Sequence, residues 1–143
     1  MNMEAINDIE EVKILNVEPT NVFGIGIINM TPHDAVFMNE SGEEVTVPKS
    51  GMSAAANAVE TCFHIGLNGV EFVKTQFEQT STGQREIADV QDSYPGTIIV
   101  GSIVSAQAYP GVVVSMVPCK GYERVPPDQK RMNPRKFNPF QER

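Results

Sequence analysis

The stretch that decides the fold is Tyr94–Pro118, Y-P-G-T-I-I-V-G-S-I-V-S-A-Q-A-Y-P-G-V-V-V-S-M-V-P. It holds the densest apolar run of the chain and is framed by two Tyr-Pro-Gly sequences. Thr97–Val100 is β-branched and Val112–Val117 is almost entirely apolar, so both predict buried strands. We expect the rest of the chain to be organised around this pair.

A short helix is predicted between these two strands. Gly101 and Ser102 interrupt the first strand, and a serine is a favourable N-cap for the following run Ile103–Ala108. Pro110-Gly111 stops that run before the second strand begins. The stretch therefore predicts a strand, a short helix and a strand as the core of a small domain.

Further strands are predicted mainly before this central unit. Alternating and β-branched positions predict a weak edge strand, a stronger strand, a short hairpin and a longer strand: Val12–Val17, Phe23–Met30, Ala35–Met38 with Glu44–Val47, and Val70–Phe77. Within the second of these, Gly24-Ile25-Gly26 lacks the third glycine and the following helix of a dinucleotide-binding fingerprint. No dinucleotide site is predicted there.

The segment Met52–Ile65 admits two interpretations. Its run of alanines favours a helix by intrinsic propensity. Asn68-Gly69, however, is a strong hairpin signal, and a hairpin needs a strand on each side. We predict a strand for Glu60–Ile65 and leave Met52–Glu60 open between strand and helix.

Two polar segments complete the chain. Glu78–Ser93 is predicted to be a loop, long enough to be functional. Residues 120–143 are dense in proline, which is unfavourable inside helices and central strands, so they predict an extended arm packed outside the domain. The residues expected to make the contacts of this arm are Tyr122, Arg124, Lys130, Arg131, Arg135, Phe137 and Phe140.

These elements predict an α+β fold, mostly antiparallel β, with one short helix in a strand-helix-strand unit and an extended Pro-rich C-terminal arm. A chain of 143 residues suits a single domain. We expect a flexible acidic leader over residues 1–11, one compact domain over residues 12–119 and a basic arm over residues 120–143. An arm that covers a sheet edge can be exchanged between copies, which predicts a homo-oligomer.

Charge is distributed unevenly along the sequence. Residues 1–119 contain fifteen acidic and four basic side chains, whereas residues 120–143 contain three acidic and seven basic ones. An acidic body would repel phosphates, so a nucleic-acid partner is not expected. A basic tail instead fits an acidic surface on the same protein, on a neighbouring subunit or on another protein.

Composition also bears on compartment. No apolar run approaches the roughly 20 residues of a membrane span, and the acidic N-terminus does not resemble a signal peptide. Cys62 and Cys119 form no disulfide framework, so a reducing cytoplasm is the expected location.

Four motifs follow one another along the chain: Ile28–His33 (I-N-M-T-P-H), Pro48–Gly51, Ile98–Ala108 and Gly121–Phe137. The first resembles an N-L-T-P-H box, the second a P-P-S-G turn and the third a Y-I-V-S-x-L-V-x-Q-A box. These motifs are similar to those of a family of small bacteriophage proteins with relatives in actinobacterial chromosomes, and the fourth is similar to the ending of the phage branch of that family. The resemblance implies a phage origin, a host-cytoplasmic or virion location and a mostly β conformation around residues 52–65. It supplies no activity and no catalytic residues.

The turn Thr31-Pro32-His33-Asp34 is the strongest candidate for a catalytic or ligand-binding site in the sequence. A histidine beside an aspartate at a strand end can act as a general base or contact a phosphate. The structural alternative is that Thr31 and Asp34 hydrogen-bond the backbone of the turn while His33 caps the strand.

Gly101 and Ser102 form a second candidate site. Free N–H groups and the dipole at a helix N-terminus favour an anion, and glycine permits its close approach. The structural alternative is an ordinary N-cap in which Gly101 eases a tight turn from strand to helix.

The sequence gives little support for a metal site or for a catalytic nucleophile. Cys62 and His64 are predicted to share one strand face, but no zinc-ligand spacing is present, so no metal and no cofactor are expected. The candidate nucleophiles lie in no G-x-S-x-G elbow and beside no recognisable base: Ser102, Ser105, Ser115, Cys62 and Cys119. We therefore do not expect an enzyme.

Two non-enzymatic functions are predicted. The first is a phage-encoded protein that binds a small anionic, nucleotide-like ligand, such as a host defence signal that it would sequester, through Thr31, His33, Asp34, Gly101 and Ser102. The alternative is a phage virion or assembly accessory protein that locks onto neighbouring subunits through its C-terminal arm. Relatives in bacterial chromosomes favour the first, since bacteria have little use for an isolated virion part.

Overall fold

The computed structural model describes residues Val17–Gln141. The predicted acidic leader, and all but the last residue of the predicted strand Val12–Val17, lie outside this range. The described strands are β1 (Thr20–Val22), β2 (Ile25–Asn29), β3 (Ala35–Met38), β4 (Glu44–Val47), β5 (Ala56–Ile65), β6 (Glu71–Gln79), β7 (Ile98–Val100), β8 (Val113–Pro118) and β9 (Met132–Asn138). The helices are α1 (Ser81–Ser93) and α2 (Ile103–Ala108), with short 3-10 turns at Leu67–Gly69 and Pro127–Gln129.

Seven of the described strands form one mixed sheet in the order β1-β2-β7-β8-β9-β3-β4, while among residues 17–141 β5 and β6 pair only with each other. Just after β4, Lys49 bridges to Asn29 at the end of β2, and the Ser50 N–H donates to the Asn29 carbonyl at 2.8 Å. The sheet therefore curls back on itself and is partly closed into a barrel.

The predicted α+β class, with strands predominating, is confirmed. The strand pairing is more mixed than expected. Within residues 17–141, β1-β2, β3-β4, β5-β6 and β8-β9 are antiparallel, whereas β2-β7, β7-β8 and β3-β9 are parallel. The parallel pairs arise because connections containing helices return the chain to the same end of the sheet.

Two apolar clusters lie on opposite faces of this sheet. Ile27 and Ile28 are consecutive on β2, so their side chains point to opposite sides, and each joins a different cluster. The cluster inside the curl contains Val22, Ile27, Ala35, Phe37, Val47, Val100 and Val114. The cluster between the sheet and the helices contains Ile28, Met30, Ala54, Ile87, Val90, Ile99, Ala106, Ala108, Tyr109 and Val113.

The strand-helix-strand unit forms as predicted. β7 and β8 are adjacent and parallel, and α2 connects them. Ser102 is the N-cap of α2, and its Oγ accepts a hydrogen bond from the Ser105 N–H at 3.1 Å. Ala106 and Ala108 are buried against the sheet, which fixes the face that this short helix presents to the core.

The loop predicted for Glu78–Ser93 is wrong, because most of that segment is the helix α1. Thr80 is its N-cap and accepts the Gly83 N–H at 3.0 Å. Ile87 and Val90 lie three residues apart on one face and are buried. Since only these two large apolar residues mark that face among polar neighbours, the helical period is weak in the sequence.

The extended C-terminal arm is also wrong. β9 lies inside the main sheet, between β8 and β3. Pro134 is buried there at a position where neither neighbouring strand has a paired residue, and the register with β8 shifts between Met116 and Pro118. A proline has no N–H to donate, and this irregular position requires none. The sheet therefore extends beyond the boundary predicted after residue 119.

The ambiguous segment before the Asn68-Gly69 turn is a strand from Ala56 onward, and residues 52–55 are not helical. Asn68 has a φ of 69° and Gly69 a φ of 76°, the left-handed conformations that hairpin turns require. The strand and the hairpin predicted here are confirmed. Within residues 17–141, neither helix is long and apolar enough to cross a membrane.

Candidate functional site

The most distinctive surface of the molecule is the hairpin formed by β5 and β6, called the hairpin below. Its strands have 10 and 9 residues, and nearly every residue in them is exposed. At about 3.3 Å per residue, such strands span roughly 30 Å. Among the described residues, no third strand pairs with either of them. A two-stranded ribbon of this kind is marginally stable in water unless something packs against it.

The far end of the hairpin is apolar as well as exposed. Leu67 at its tip is 91% exposed, Phe63 is 69% exposed and Ile65 is 64% exposed. Val70 and Phe72 on the returning side are also exposed. Single exposed apolar side chains are ordinary on protein surfaces, but five around one turn form an apolar patch typical of a binding site.

Phe63 occupies a β-bulge in β5, which changes the face to which the residues on either side of it point. Cys62 pairs with Val73, whereas His64 pairs with Phe72, and the register shifts between them. The two rings of the latter pair are 5.6 Å apart. Because Phe72 and Val73 are consecutive and point to opposite faces, the bulge places Cys62 and His64 on opposite faces as well. The prediction that these two residues share a face is therefore wrong.

The base of the hairpin is firmly attached to the body. The Tyr109 hydroxyl donates to the Ala55 carbonyl at 2.9 Å and accepts the Thr80 N–H at 3.1 Å. The Thr80 hydroxyl donates to the same Ala55 carbonyl at 2.9 Å, and the Gln79 side chain donates to the Ala108 carbonyl at 3.0 Å. Both strands are thus tied to the end of α2, so the direction of the projecting part is set by the core.

Packing supports this attachment. Ala56 and Phe77 at the base pack against the cluster beneath the helices. Gly83 of α1 is buried, and a side chain does not fit there because its Cβ would overlap the Tyr109 hydroxyl and lie 2.8 Å from the Ala55 carbonyl oxygen. The site that results is a two-stranded ribbon with an apolar end, held at its base and paired with no third strand among residues 17–141.

The turn after β2 is built on Asn29, which is 1% exposed. Its Nδ2 donates to the carbonyls of His33, at 2.8 Å, and Val47, at 3.1 Å. Its Oδ1 accepts the Thr31 N–H at 2.8 Å, and the Thr31 hydroxyl lies 2.6 Å from the same oxygen. Thr31 is therefore occupied with the backbone and side chains of the turn. Asn29 was not among the predicted site residues, although a buried strand-end asparagine before Met-Thr-Pro is a visible signal.

Asp34 and His33 differ in their contacts. The Asp34 carboxylate accepts the Lys49 N–H at 3.0 Å, which ties the turn to the residue after β4. The His33 side chain is on an exposed residue, and within residues 17–141 its imidazole makes no hydrogen bond. Of the predicted quartet, His33 is the one whose side chain remains available.

Gly101 and Ser102 are used structurally. Gly101 is buried, and a Cβ there would lie 2.6 Å from Val113 Cγ1 and 3.2 Å from Ser105 Cβ. Ser102 caps a helix of six residues, too short to provide an extended dipole. Ser105 turns its own hydroxyl toward the Ser53 and Ala54 carbonyls, at 3.1 and 2.9 Å.

The fold does bring the two predicted sites to one edge of the sheet. The Met30 N–H donates to the Val100 carbonyl at 2.8 Å, so the segments leaving β2 and β7 begin side by side. The turn at Thr31 and the helix start at Ser102 therefore follow neighbouring parallel strands, where such loops commonly carry ligands in α/β proteins.

The residues of the predicted arm are divided between a loop and a strand. Arg131 forms a salt bridge with Glu44 at 2.7 Å, and Lys130 donates to the Glu123 carbonyl at 2.8 Å. Tyr122 is half-buried and Arg124 is exposed in the same loop. Arg135 is exposed on β9, and Phe137 packs its ring 6.2 Å from that of Phe37. Phe140 follows the strand and is exposed. No single projecting segment contains these side chains.

Glu123 lies in the same loop, and the pKa of its carboxyl group is lowered. Its carboxylate accepts a hydrogen bond from its own backbone N–H and another from the Gly121 N–H, the latter at 2.8 Å. These bonds lower the pKa of Glu123, with smaller contributions from the nearby positive charges of Arg124 and Lys120. The bonds stabilise the turn and do not by themselves indicate a ligand.

Metal chemistry has no geometric basis in the described part of the chain. Among residues 17–141, no three His, Cys, Asp or Glu side chains are grouped so that they could hold a metal ion. Cys62 is an exposed free thiol, and Cys119 is a half-buried free thiol whose Sγ lies 3.5 Å from the Met38 carbonyl.

No protein-family model, curated protein or solved structure matches this chain. The resemblance to the phage family therefore stays a prediction drawn from the motifs.

Proposed function

We propose that this chain is a non-enzymatic assembly protein that binds a neighbouring protein through its hairpin. The single observation that carries the proposal is the exposed apolar end of a ribbon whose base is held rigidly. The fixed base sets the direction in which the apolar end projects, so this part of the geometry does not have to be ordered when a partner binds.

The chemistry of the hairpin fits a protein partner better than the other classes. Its charged residues are Glu60, Glu71, Lys74 and Glu78, an acidic set that would repel nucleic acid and anionic lipid. Its exposed strand edges can hydrogen-bond to another chain, and its aromatic and aliphatic side chains can fill apolar pockets.

This proposal retains the assembly function predicted from the sequence and changes the element that performs it. The C-terminal segment is part of the sheet, and its removal would take β9 from between two strands. The two strands of the hairpin, by contrast, hydrogen-bond to each other outside the main sheet. Beyond its base, the hairpin contributes little to either apolar cluster.

The experiment rests on the phage origin that the motifs predict, and compares the intact chain with a Phe63→Ser/Leu67→Ser variant in particles of that phage. The matched control is Ile103→Ser, which removes an apolar side chain that is 61% exposed but lies on α2. Copies per particle would be counted by quantitative mass spectrometry against the major capsid protein. Since interface anchors commonly contribute 1–2 kcal/mol or more, we expect the hairpin variant to be depleted at least about tenfold. Incorporation of both variants at the wild-type level would contradict the proposal.

A second candidate function is the binding of a small anionic, nucleotide-like ligand at the edge that carries Thr31 and Ser102. The observation that favours it is the adjacency of the two segments through the Met30–Val100 hydrogen bond, with the His33 imidazole exposed nearby in the chain. The polar groups of Thr31, Asp34 and Ser102 already have partners within the protein, so the geometry supports this function less than assembly.

Native mass spectrometry of the chain purified from infected bacteria tests this second function. Retention of a few hundred daltons of extra mass, abolished by His33→Ala, would support it. Wild-type protein without added mass, or equal retention by the variant, would contradict the assignment. The variant is suited to this test because the His33 side chain makes no described hydrogen bond whose loss would disturb the fold.

A further inference from the structure

We infer that the partner of the hairpin adds an extended strand to the free edge of β6, and that the side chains of this strand complement those of residues 71–75. The inference rests on the proposed function of the hairpin and specifies both the mode of binding and the chemistry of the partner. It comes from the regular backbone of β6 and from the charges that alternate along it.

The two outer edges of the hairpin differ. β5 contains the bulge at Phe63, and a bulge bends a strand and interrupts the row of backbone groups to which another strand would pair. Along β6, every residue from Glu71 to Gln79 has a partner in β5, so its backbone is regular. Proteins usually cover or interrupt a long regular edge, yet within residues 17–141 no strand pairs with this one. β6 therefore offers the edge to which a further strand can be added.

The available part of this edge is residues 71–75. At the base, the Gln79 side chain donates to the Ala108 carbonyl at 3.0 Å and Phe77 packs against the cluster beneath the helices, so the body lies close to that end. Residues 71–75 are all exposed, and in the described range their backbone pairs only with β5. An incoming strand can pair there without displacing the body.

Charges of opposite sign lie on the two faces of this segment. Its sequence is E-F-V-K-T, and alternation places the first, third and fifth side chains on one face and the second and fourth on the other. Glu71 is paired with Ile65 and Lys74 with Thr61, so neither charge is opposed by another within the hairpin. Neither residue forms a salt bridge in residues 17–141. Both charges are thus free to be paired by an added strand.

Cross-strand pairs determine which side chains the added strand needs. A pair stabilises a sheet when its charges are opposite or when both side chains are aromatic or β-branched. In an antiparallel strand, which is the more stable arrangement, this requires a cation opposite Glu71, an acid opposite Lys74 and apolar side chains opposite the two residues between them. In its own direction such a strand has the pattern T-E-V-F-K.

A second copy of the chain cannot supply this pattern from the same edge. When two β6 edges pair antiparallel, side chains on the same face meet, so residues an even number of positions apart lie opposite each other. Glu71 and Lys74 are three positions apart and on opposite faces, so no such register pairs them. The charges therefore select a different protein, whose extended segment carries an acid and a cation three residues apart.

A capped peptide with the core T-E-V-F-K tests the charge pattern, titrated into the intact chain and followed by fluorescence anisotropy. The matched control is T-K-V-F-E, which has the same composition but places like charges opposite Glu71 and Lys74. We expect the control to bind at least about tenfold more weakly, because two attractive pairs become repulsive.

The variant Glu71→Lys/Lys74→Glu should reverse this preference and bind T-K-V-F-E more tightly than T-E-V-F-K. It keeps the net charge of the chain. Both residues are exposed and paired with neutral side chains, so folding is expected to be preserved and can be checked by circular dichroism.

Backbone pairing is tested separately from charge. Two versions of the T-E-V-F-K peptide would be N-methylated, one at its second and fourth residues and the other at its first, third and fifth. The N–H groups of alternate residues point to the same edge of a strand, so only one of these sets faces β6. Methylation of that set should abolish binding, and methylation of the other set should preserve it. Equal binding of the two methylated peptides would contradict strand addition.

Three other outcomes would overturn the inference. One is the absence of binding at about 1 mM peptide, a concentration that detects even weak complexes. Another is equal affinity of the wild-type chain for T-E-V-F-K and T-K-V-F-E. The third is an oligomer of the chain alone in sedimentation velocity that the peptide dissociates, since a second copy would then occupy this edge. Phe63 and Leu67 lie outside residues 71–75, so the particle experiment still decides the proposed function independently.

Discussion

Replacing Gly101 by alanine should destabilise the protein, although the change adds only one methyl group. Gly101 does not have a positive φ, so alanine meets no backbone restriction at this position. Its Cβ, however, would lie 2.6 Å from Val113 Cγ1 and 3.2 Å from Ser105 Cβ. Val113 is 0% exposed and β-branched, so it cannot turn away without disturbing the core.

The magnitude follows from two opposing effects. Overpacking of a close-packed core costs about 1–3 kcal/mol. Removing a glycine reduces the conformational freedom of the unfolded chain, which returns about 0.4–1 kcal/mol. We expect a net loss of about 1–2 kcal/mol in the free energy of unfolding. With an m-value of about 1–3 kcal/mol per M, the urea midpoint should fall by roughly 0.3–2 M.

Gly26→Ala is the matched control. Gly26 also lacks a positive φ, but its Cβ would meet Pro19 Cβ at 3.4 Å, an ordinary contact. Urea unfolding followed by circular dichroism should show an unchanged or slightly raised midpoint for this variant. If Gly101→Ala were as stable as wild type, close packing against Val113 would not explain the glycine. The other explanation, that the absence of a side chain lets an anionic ligand approach the backbone, would then gain support.

Asn29→Ala should lower the free energy of unfolding by about 2–4 kcal/mol in urea titrations, because buried carbonyls and the Thr31 N–H lose their partner, while Asn39→Ala should cost less because its bonds face water. Tyr109→Phe should cost about 1–3 kcal/mol and accelerate amide exchange at the base of the hairpin, unlike Tyr122→Phe, whose hydroxyl makes no hydrogen bond in the described range; equal exchange in the two variants would count against the anchoring role of Tyr109. The pKa of Glu123 should lie below that of an ordinary glutamate in carboxyl-detected NMR titrations, and its stabilising effect should be present above the unfolded pKa and lost as pH falls through the lower folded pKa. An ordinary pKa for Glu123 would show that the Gly121 contact does not persist in solution.

The central unit was predictable because its signals are local. Thr97–Val100 has few alternatives to a buried strand, and Ser102 caps a helix within the next turn of chain. The turn at Asn68-Gly69 likewise depends only on adjacent residues. Such features are specified over a few positions, so a single sequence contains them.

The wrong predictions concern segments whose structure depends on distant partners. α1 is held by Ile87 and Val90 against a cluster assembled from several strands, and two apolar residues give only a faint helical period. Pro134 favoured the prediction of an external arm, because a proline cannot donate a backbone hydrogen bond within a sheet. In the structure neither neighbouring strand has a residue paired with Pro134, so no N–H is needed there, and the sequence does not show this. Tertiary context overrides local preference in both cases.

The candidate site was predictable only in part. Thr31, Asp34 and Ser102 were predicted as ligand-binding residues, with backbone hydrogen bonding as the structural alternative. Thr31 and Ser102 make such local bonds, whereas Asp34 accepts the N–H of Lys49, a residue 15 positions away. The exposed end of the hairpin was missed because apolar residues such as Phe63 and Leu67 ordinarily indicate a core. Their exposure follows from the pairing of β5 and β6 outside the main sheet, which a single sequence does not reveal.

Hydrogen exchange of the hairpin amides in free and assembled protein tests the central proposal most directly. The peptide containing Leu67 should exchange rapidly in dilute purified protein and slowly in the assembly, while peptides from the buried strand β7 should be protected equally in both. That difference would show that a partner covers the hairpin. Equal, rapid exchange around Leu67 in both samples would show that the hairpin stays bare and would contradict its role in assembly.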